Sequence, residues 1–172
     1  MKLNIGAGKQ TWPEFFCIDA VENVKASRPL DLIHAFEFEK DGALKNPLPL
    51  ENEIAEEVHS YHFIEHIYFW EAENIVKEFH RLLKEGGKLI IECPDIMKCA
   101  HNFINGRTDQ MGMWGLYGDW AHKDPFMMHS HGYHPATITE LLKSAGFKQI
   151  KILNPVTHGA RVARDMRVEA IK

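Results

Sequence analysis

Seven short stretches of the chain are apolar or alternate between apolar and polar residues. Such stretches predict β-strands rather than helices. The predicted strands lie at Leu3–Ile5, Phe15–Asp19, Leu30–His34, Glu56–Tyr61, Lys88–Cys93, Phe147–Leu153 and Arg161–Ile171. Between the third and fourth strands, the prolines in residues 47–50 predict a loop over the sheet edge, because proline cannot sit in a central strand.

Longer stretches between the strands predict helices. Apolar residues recur at helical spacing over Phe69–Lys84, and Gly86-Gly87 is expected to end that helix. Shorter helices are predicted at Ile96–Ile104 and Thr137–Ser144. Strands that alternate with helices predict an α/β domain, in which a parallel sheet has helices on both faces.

Three connections depart from this regular alternation. Only about nine residues separate the first two strands, fewer than a parallel crossover usually needs, and Pro13 breaks any helix there. We therefore expect the first crossover helix to be clipped to one turn. Val21–Pro29 predicts a short exposed connection or helix. Residues 105–135 combine glycines with Met, Trp and Tyr, which predicts a lid or a substrate-binding loop.

The composition is that of a single domain, with 172 residues of which 45% are hydrophobic and 26% are charged. A formal net charge of −4 gives no basic field, so nucleic acid is not a predicted partner. Three cysteines without a framework spacing predict buried thiols and a cytoplasmic location. No basic-then-apolar leader opens the chain, and no apolar run is long enough to predict a membrane span.

A glycine turn, Gly6-Ala7-Gly8, follows the first predicted strand, and Asp19 ends the second. The turn lets a ligand approach the backbone, and the acid can accept hydrogen bonds from ribose hydroxyls. The alternative is an ordinary β-turn, because the short motif alone is weakly specific. The third glycine of the dinucleotide pattern is missing, and Asp19 follows sooner than the ~20 residues of NAD sites. The pattern therefore favours a smaller adenosine ligand over a nicotinamide cofactor.

Longer blocks carry a resemblance to a known family. They are Leu3–Gly8, Pro47-Leu48-Pro49 leading into Val58–His66, Leu83–Ile91 and Asp165–Ala170. Together these blocks resemble the class I S-adenosylmethionine-dependent methyltransferases, in particular their small, methyltransferase type 11-like members. The resemblance implies a Rossmann-like, doubly wound sheet of seven strands in the order 3-2-1-4-5-7-6, with the last strand antiparallel. It covers most of residues 1–172 as a single domain.

The resemblance also implies roles for residues around S-adenosylmethionine. The glycine turn flanks the methionine part, Asp19 binds the ribose, and the residues ending the fourth strand lie under the sulfonium and amino-acid end. An aromatic face at Tyr61 would add a cation–π contact to the sulfonium. Glu37 is the candidate acid for adenine, and Asn4 stands where many members carry aspartate. The cofactor-binding candidates are Asn4, Gly6, Ala7, Gly8, Asp19, Glu37, Ser60, Tyr61 and His62.

Two histidines after the fourth strand are the candidate bases. Methyl transfer depends mainly on positioning, because the sulfonium is already activated. A base is needed only where the acceptor loses a proton, and a histidine with a pKa of ~6.5 suits that role. A spacing of four residues puts His62 and His66 on one face of a helix. The alternative is that they pack under the lid or orient the cofactor.

A second cluster of metal-binding residue types follows later in the chain. Its members are His122, Asp124, His129, His131 and His134. Their spacing matches no closed zinc motif, and we predict no metal, although a transition-metal site is one alternative. The favoured interpretation is a polar wall that faces the substrate, with His131 and His134 as its candidates. Exposed loop histidines are the remaining alternative.

Two further groups receive structural interpretations. The spacing of three arginines does not suit a basic stripe that binds nucleic acid, and it predicts that they lie on a solvent-exposed strand face. These residues are Arg161, Arg164 and Arg167. The aromatic group is predicted to lie mostly in the core; it comprises Phe63, Tyr68, Phe69 and Trp70.

These features predict an S-adenosylmethionine-dependent enzyme that methylates a hydroxyl or amine of a small molecule, sugar or metabolite. The retained glycine turn and Asp19 favour an active site. The alternative from a different class is a non-catalytic module with a degenerate methyltransferase fold, which binds the cofactor or a partner. A small molecule is the only partner predicted, with neither nucleic acid nor membrane.

Overall fold

Seven strands lie side by side in one sheet in a computed structural model of the chain. They are β1 (Lys2–Ile5), β2 (Phe16–Asp19), β3 (Leu32–Ile33), β4 (Ala55–Tyr61), β5 (Leu83–Pro94), β6 (Lys148–Leu153) and β7 (Asp165–Ile171). The structure describes residues 1–21, 26–157, 159 and 161–172, with the side chain of His122 outside that description. The strand order is β3-β2-β1-β4-β5-β7-β6, which confirms the predicted order.

The direction of the strands sets where a ligand can bind. The first five strands run parallel, and β7 runs antiparallel to both of its neighbours, β5 and β6. The predicted α/β class and antiparallel last strand are therefore confirmed. Because the carboxyl ends of β1, β2 and β4 meet at one edge, the loops that follow these strands form a common rim. Ligands of open α/β sheets bind at this edge.

The described residues form four α-helices beside the sheet: α1 (Phe69–Leu82), α2 (Ile96–Ile104), α3 (Met113–Tyr117) and α4 (Pro135–Ser144). The apolar stripe of α1 buries Ile75 and Phe79 in the main core. None of the described helices is long and apolar enough to cross a lipid bilayer.

The end of α1 differs from the prediction. The helix ends at Leu82 rather than Lys84, because Leu83 already pairs with Ala55 of β4. Gly86-Gly87 therefore does not cap the helix. It lies in an irregular stretch of β5, where the register against β4 shifts.

The two faces of the sheet are covered differently. Leu3, Ile5 and Ile18 belong to the main core together with α1 and α4. Side chains alternate along a strand, so Cys17 of β2 points to the other face, where it joins a small cluster with Ala7 and Phe15. Residues 6–15 form turns without a helix, so the first crossover is short as predicted but lacks even the single helical turn that was expected. Residues 22–25 of the predicted connection at 21–29 lie outside the described part of the chain.

The aromatic residues around the start of α1 require a correction. Tyr68, Phe69 and Trp70 are between 50 and 68% exposed, so the prediction of a core position is wrong for these three. The buried stripe of α1 begins only at Ala72. Phe63 alone of this group packs against the main core.

Candidate active site

The glycine turn after β1 is folded onto the end of β2. The amides of Gly6 and Ala7 both donate to the Ile18 carbonyl oxygen at 3.0 Å. The amide of Gly8 donates to Oδ2 of Asp19 at 2.7 Å, and the amide of Ala20 donates to Oδ1 at the same distance. The structure thus brings the predicted turn and the predicted acid together. Oδ1 also accepts from the amide of Val21 at 3.4 Å, so Oδ2 is the oxygen with a further acceptor site.

The two glycines of the turn differ in their surroundings. Both have positive φ, +73° at Gly6 and +53° at Gly8, a conformation that other residues adopt at a cost. A Cβ atom on Gly6 would lie 2.6 Å from the ring of Phe63, so packing excludes a side chain there. A Cβ atom on Gly8 would meet no atom within 4 Å beyond its chain neighbours. The space beside Gly8 therefore lets a ligand reach the backbone.

Two buried polar atoms near this turn have no hydrogen-bond partner. Asn4 is fully buried and donates from Nδ2 to the Gln10 carbonyl oxygen at 2.7 Å, which leaves its Oδ1 unpartnered. Ser60 is fully buried at the end of β4, and its Oγ is also unpartnered. Buried polar atoms are normally satisfied by protein, water or ligand. Both atoms belong to predicted cofactor-binding residues, and this polarity fits a ligand with hydrogen-bonding groups.

Tyr61 at the end of β4 is enclosed by neighbouring side chains. Its hydroxyl lies 2.5 Å from Nδ1 of His59, and its ring packs edge-on against Trp12 with 5.6 Å between the ring centroids. Burial raises the pKa of Tyr61. These contacts brace the turn that follows β1, and the predicted cation–π contact of Tyr61 stays a prediction.

His62 lies between two buried carboxylates. Its Nδ1 is 3.0 Å from Oε1 of Glu65, and its Nε2 is 3.4 Å from Oδ2 of Asp165. Burial by itself would lower the pKa of His62, but the hydrogen bonds with Asp165 and Glu65 outweigh burial and raise the pKa to about 9. His62 is therefore an imidazolium at neutral pH. A general base needs a free lone pair, so this geometry favours a charged, orienting role for His62.

Arg164 completes this buried charge network. Its Nη2 donates to Oδ2 of Asp165 at 2.9 Å, and Arg164 is only 6% exposed. Arg167 of β7 is likewise paired, with Oε1 of Glu92 at 2.9 Å. The predicted solvated arginine face is wrong for both residues. Glu92, the partner of Arg167, lies on the neighbouring strand β5 and is 75 residues away in sequence. Local spacing cannot reveal such a pair.

Residues 105–135 dock on the 3₁₀ turn Ile64–His66 that follows β4. The amides of Ser130 and His131 donate to the Glu65 carbonyl oxygen at 2.8 and 3.1 Å. Nδ1 of His66 lies 2.9 Å from the Met128 carbonyl oxygen. The predicted lid segment is thus held against the same rim as the glycine turn.

The second predicted cluster does not gather as one group. Asp124 caps a 3₁₀ turn by accepting from the Phe126 amide at 3.0 Å, and His134 precedes the first residue of α4. His131 packs near Phe69 and Tyr133. Among the cluster side chains that the structure describes, only His129 lies beside a predicted base, with 5.0 Å between its ring centroid and that of His66. The side chain of His122 lies outside the part of the chain that the structure describes.

Glu37, the candidate adenine acid, lies in the loop after β3. It is exposed, and its carboxylate is 3.7 Å from Nζ of Lys45. The assignment stays a prediction.

Two residues of the candidate site were missed by sequence reasoning. Glu65 and Asp165 flank His62, and both are 1% exposed. Glu65 belongs to the block that carries the family resemblance, and its position beside a candidate base was the available signal. Asp165 begins another of these blocks, but it enters the site only because β7 is inserted beside β5, a placement that no local pattern reveals.

The sheet order and the glycine turn define the class I methyltransferase architecture, and comparison with known proteins agrees. Residues 3–152 match the family model described as "Methyltransferase domain". The chain therefore belongs to this family, whose methyl donor is S-adenosylmethionine. No curated protein sequence matches the chain significantly.

Solved structures share the fold at low sequence identity. A SAM-dependent methyltransferase from Archaeoglobus fulgidus is 16% identical, with 99% of this chain and 85% of that chain covered and a TM-score of 0.66. A possible histamine N-methyltransferase from Thermotoga maritima is 17% identical, with coverage of 99% and 81% and a TM-score of 0.63. The 1,6-didemethyltoxoflavin-N1-methyltransferase of Burkholderia thailandensis, with bound substrate and S-adenosylhomocysteine, is 13% identical, with coverage of 99% and 70% and a TM-score of 0.62.

Proposed function

We propose that this protein is an enzyme that transfers a methyl group from S-adenosylmethionine to a hydroxyl or amine of a small molecule. The observation that carries the proposal is the glycine turn held against Asp19, with open space beside Gly8. Two similar structures support a small acceptor, since one is a possible histamine N-methyltransferase and the other contains bound 1,6-didemethyltoxoflavin. A cytoplasmic location and the absence of a nucleic-acid partner belong to the same proposal.

The cofactor would lie across the rim from the glycine turn to the end of β4. The backbone of Gly6-Ala7-Gly8 flanks its methionine part, and Asp19 accepts hydrogen bonds from the ribose hydroxyls. Two buried atoms without partners lie close in sequence to these contacts: Oδ1 of Asn4 just before the glycine turn, and Oγ of Ser60 near the end of β4. Tyr61 and His62 line the sulfonium and amino-acid end, and Glu37 is retained as the candidate for adenine.

The acceptor would lie on the lid side of the rim. When bound, S-adenosylmethionine supplies an activated methyl group, and the chain's own residues orient the acceptor in line with it. His66 is the better candidate base. Its Nδ1 faces the Met128 carbonyl oxygen, which leaves a lone pair on Nε2, whereas His62 is held as a cation. His131 and His134 stay the candidates for the substrate wall.

Calorimetry with S-adenosylmethionine and S-adenosylhomocysteine tests the cofactor assignment. Asp19→Ala removes charge-assisted hydrogen bonds worth about 1.5–3 kcal/mol each, so we expect roughly ten- to hundredfold weaker binding. Glu140→Ala, an exposed acid on α4, is the matched control and should bind as the native chain does. Unchanged affinity in Asp19→Ala would remove Asp19 from the site. A thermal shift with NAD alone would reject the cofactor.

A non-catalytic cofactor-binding module is the second candidate function. The observation in its favour is that His62, a predicted base, is engaged on both ring nitrogens. Release of S-adenosylhomocysteine separates the two candidates, measured across a panel of small amines and hydroxyl compounds. Turnover with any acceptor supports the enzyme. Tight cofactor binding without turnover across the panel supports the module.

A further inference from the structure

Glu65 has one carboxylate oxygen with a partner and one without. Its side chain is buried, and Oε1 lies 3.0 Å from Nδ1 of His62. Oε2 is also buried and has no hydrogen-bond partner. An unpartnered carboxylate oxygen in the interior is costly. We therefore expect Oε2 to bind a ligand, and the neighbouring residues indicate what kind of ligand it is.

Two imidazoles flank this carboxylate with the same nitrogen engaged. Nδ1 of His66 lies 2.9 Å from the Met128 carbonyl oxygen, and Nδ1 of His129 lies 3.1 Å from the Gly115 carbonyl oxygen. A carbonyl oxygen only accepts, so each Nδ1 carries the proton and each Nε2 keeps its lone pair. Histidines that ligate metals are held in this way, with the other ring nitrogen donating to a carbonyl or carboxylate.

The ligand atoms of the three side chains lie close together. One ligand atom from each of Glu65, His66 and His129 lies within 4.8 Å of the others. Metal–nitrogen and metal–oxygen bonds of about 2.0–2.2 Å bring ligand atoms to within about 4.2 Å of one another. A small rotation of the side chains therefore closes the set around an ion.

We propose that Glu65, His66 and His129 bind a divalent first-row transition ion such as zinc. Two imidazoles and one carboxylate suit zinc or iron, whereas calcium and magnesium prefer sites made only of oxygen. Three protein ligands leave at least one coordination position open, as in catalytic rather than structural zinc sites. This proposal revises the prediction, made from the sequence, that the protein binds no metal. The trio of ligands shares only His129 with the cluster at 122–134.

The ion would act on the acceptor, and this part rests on the proposed function. The trio lies where the lid segment docks after β4, on the proposed acceptor side of the rim. A bound cation lowers the pKa of a hydroxyl that coordinates it. The substrate class is therefore an acceptor with an oxygen that can ligate the ion, beginning with hydroxyl compounds. The ion then takes over the task of a free His66 base, because His66 serves as its ligand.

The methyl-transfer step balances under this assignment. The acceptor hydroxyl releases its proton to solvent, and its oxygen forms a bond to the methyl carbon of S-adenosylmethionine. The carbon–sulfur bond breaks, and its electron pair returns to sulfur, which gives S-adenosylhomocysteine. No oxidant or reductant is required.

Zinc titration of the full chain, after chelator treatment and dialysis, tests the site. We expect one ion per chain. His129→Ala and Glu65→Gln should each weaken zinc binding by about a hundredfold or more, since even residues that only orient ligands change affinity by about 10- to 100-fold. His101→Ala, an exposed histidine on α2, is the matched control and should leave zinc affinity unchanged. Equal affinity in all three variants, or no stoichiometric binding, would overturn the proposal.

A second measurement does not depend on how the variants fold. Cobalt(II) added to the native chain reports histidine coordination through its visible absorption. Absence of a coordination spectrum would overturn the proposal. S-adenosylmethionine binding, measured in the presence of chelator, separates this inference from the proposed function. Intact cofactor binding without zinc binding rejects the metal site alone, and loss of cofactor binding by the native chain rejects the proposed function.

Discussion

Two parts of the rim are held in place by different kinds of contact. The cofactor side, which comprises residues 4–8 and Asp19, is held by backbone amides that converge on one carbonyl and one carboxylate. The lid side, which comprises residues 62–66, 128–131 and 164–165, is held by charged side chains and by main-chain contacts between distant segments. The cofactor side is therefore local in sequence, whereas the lid side is assembled by topology.

This difference teaches which changes each side tolerates. Backbone hydrogen bonds survive most substitutions, so the cofactor side depends on conformation and is sensitive where glycine is replaced. A buried network of charges depends on every member, because the loss of one partner leaves another charge uncompensated. The variants below probe these two dependences separately.

The largest loss of folding stability is expected from a substitution on the lid side. Asp165→Ala leaves Arg164 and His62 as buried cations without their shared carboxylate, and breaking a buried ion pair costs about 3–5 kcal/mol. Urea denaturation followed by circular dichroism measures the loss. Glu73→Ala removes an exposed pair with Lys77 and should cost about 0.5 kcal/mol or less. If both variants lose equally little stability, buried charge does not hold this side.

An intermediate effect is expected on the cofactor side, at Gly6. Gly6→Ala combines the left-handed backbone cost of about 1–2 kcal/mol with a clash against Phe63, which adds about 1–3 kcal/mol. Denaturant midpoints measure the sum. A loss no greater than that of Gly8→Ala would mean that Phe63 yields without cost.

Gly8→Ala should cost only the backbone term of about 1–2 kcal/mol, since its Cβ meets open space. The added methyl enters the space assigned to the cofactor, so we expect about tenfold weaker S-adenosylmethionine binding. Gly86→Ala is the matched control, because Gly86 also has positive φ and open surroundings. It should lose similar stability and keep full cofactor affinity. Native affinity in Gly8→Ala would contradict the close approach of the cofactor.

The smallest expected effect is on the pH dependence of stability, and it concerns His59 on β4. Burial lowers the pKa of His59, although its hydrogen bond with Glu57 opposes this shift. The folded state therefore resists protonation, and this contribution to stability is complete above pH ~6.5 and is lost as the pH falls below it. Urea midpoints at pH 7 and pH 5 should differ less in His59→Gln than in the native chain. An unchanged difference would show that His59 is not the titrating group.

The success of sequence reasoning follows the same division. The strand runs, the glycine turn and Asp19 could be predicted because each signal lies within a few consecutive residues. The roles of Arg164 and Asp165 could not, since their contact with His62 spans about a hundred residues. The early end of α1 was missed for a related reason: Leu83 is a good helix residue by pattern, but pairing with Ala55 draws it into β5.

The position of β7 bears on how the protein is made. This strand follows the other six in sequence, yet it lies inside the sheet between β5 and β6. A nascent chain that has reached residue 153 carries His62 and Glu65 but not Asp165, and two strand edges are still open. The charged half of the pocket therefore forms only after all seven strands have been synthesised, and chains that stop before β7 would expose those edges to aggregation.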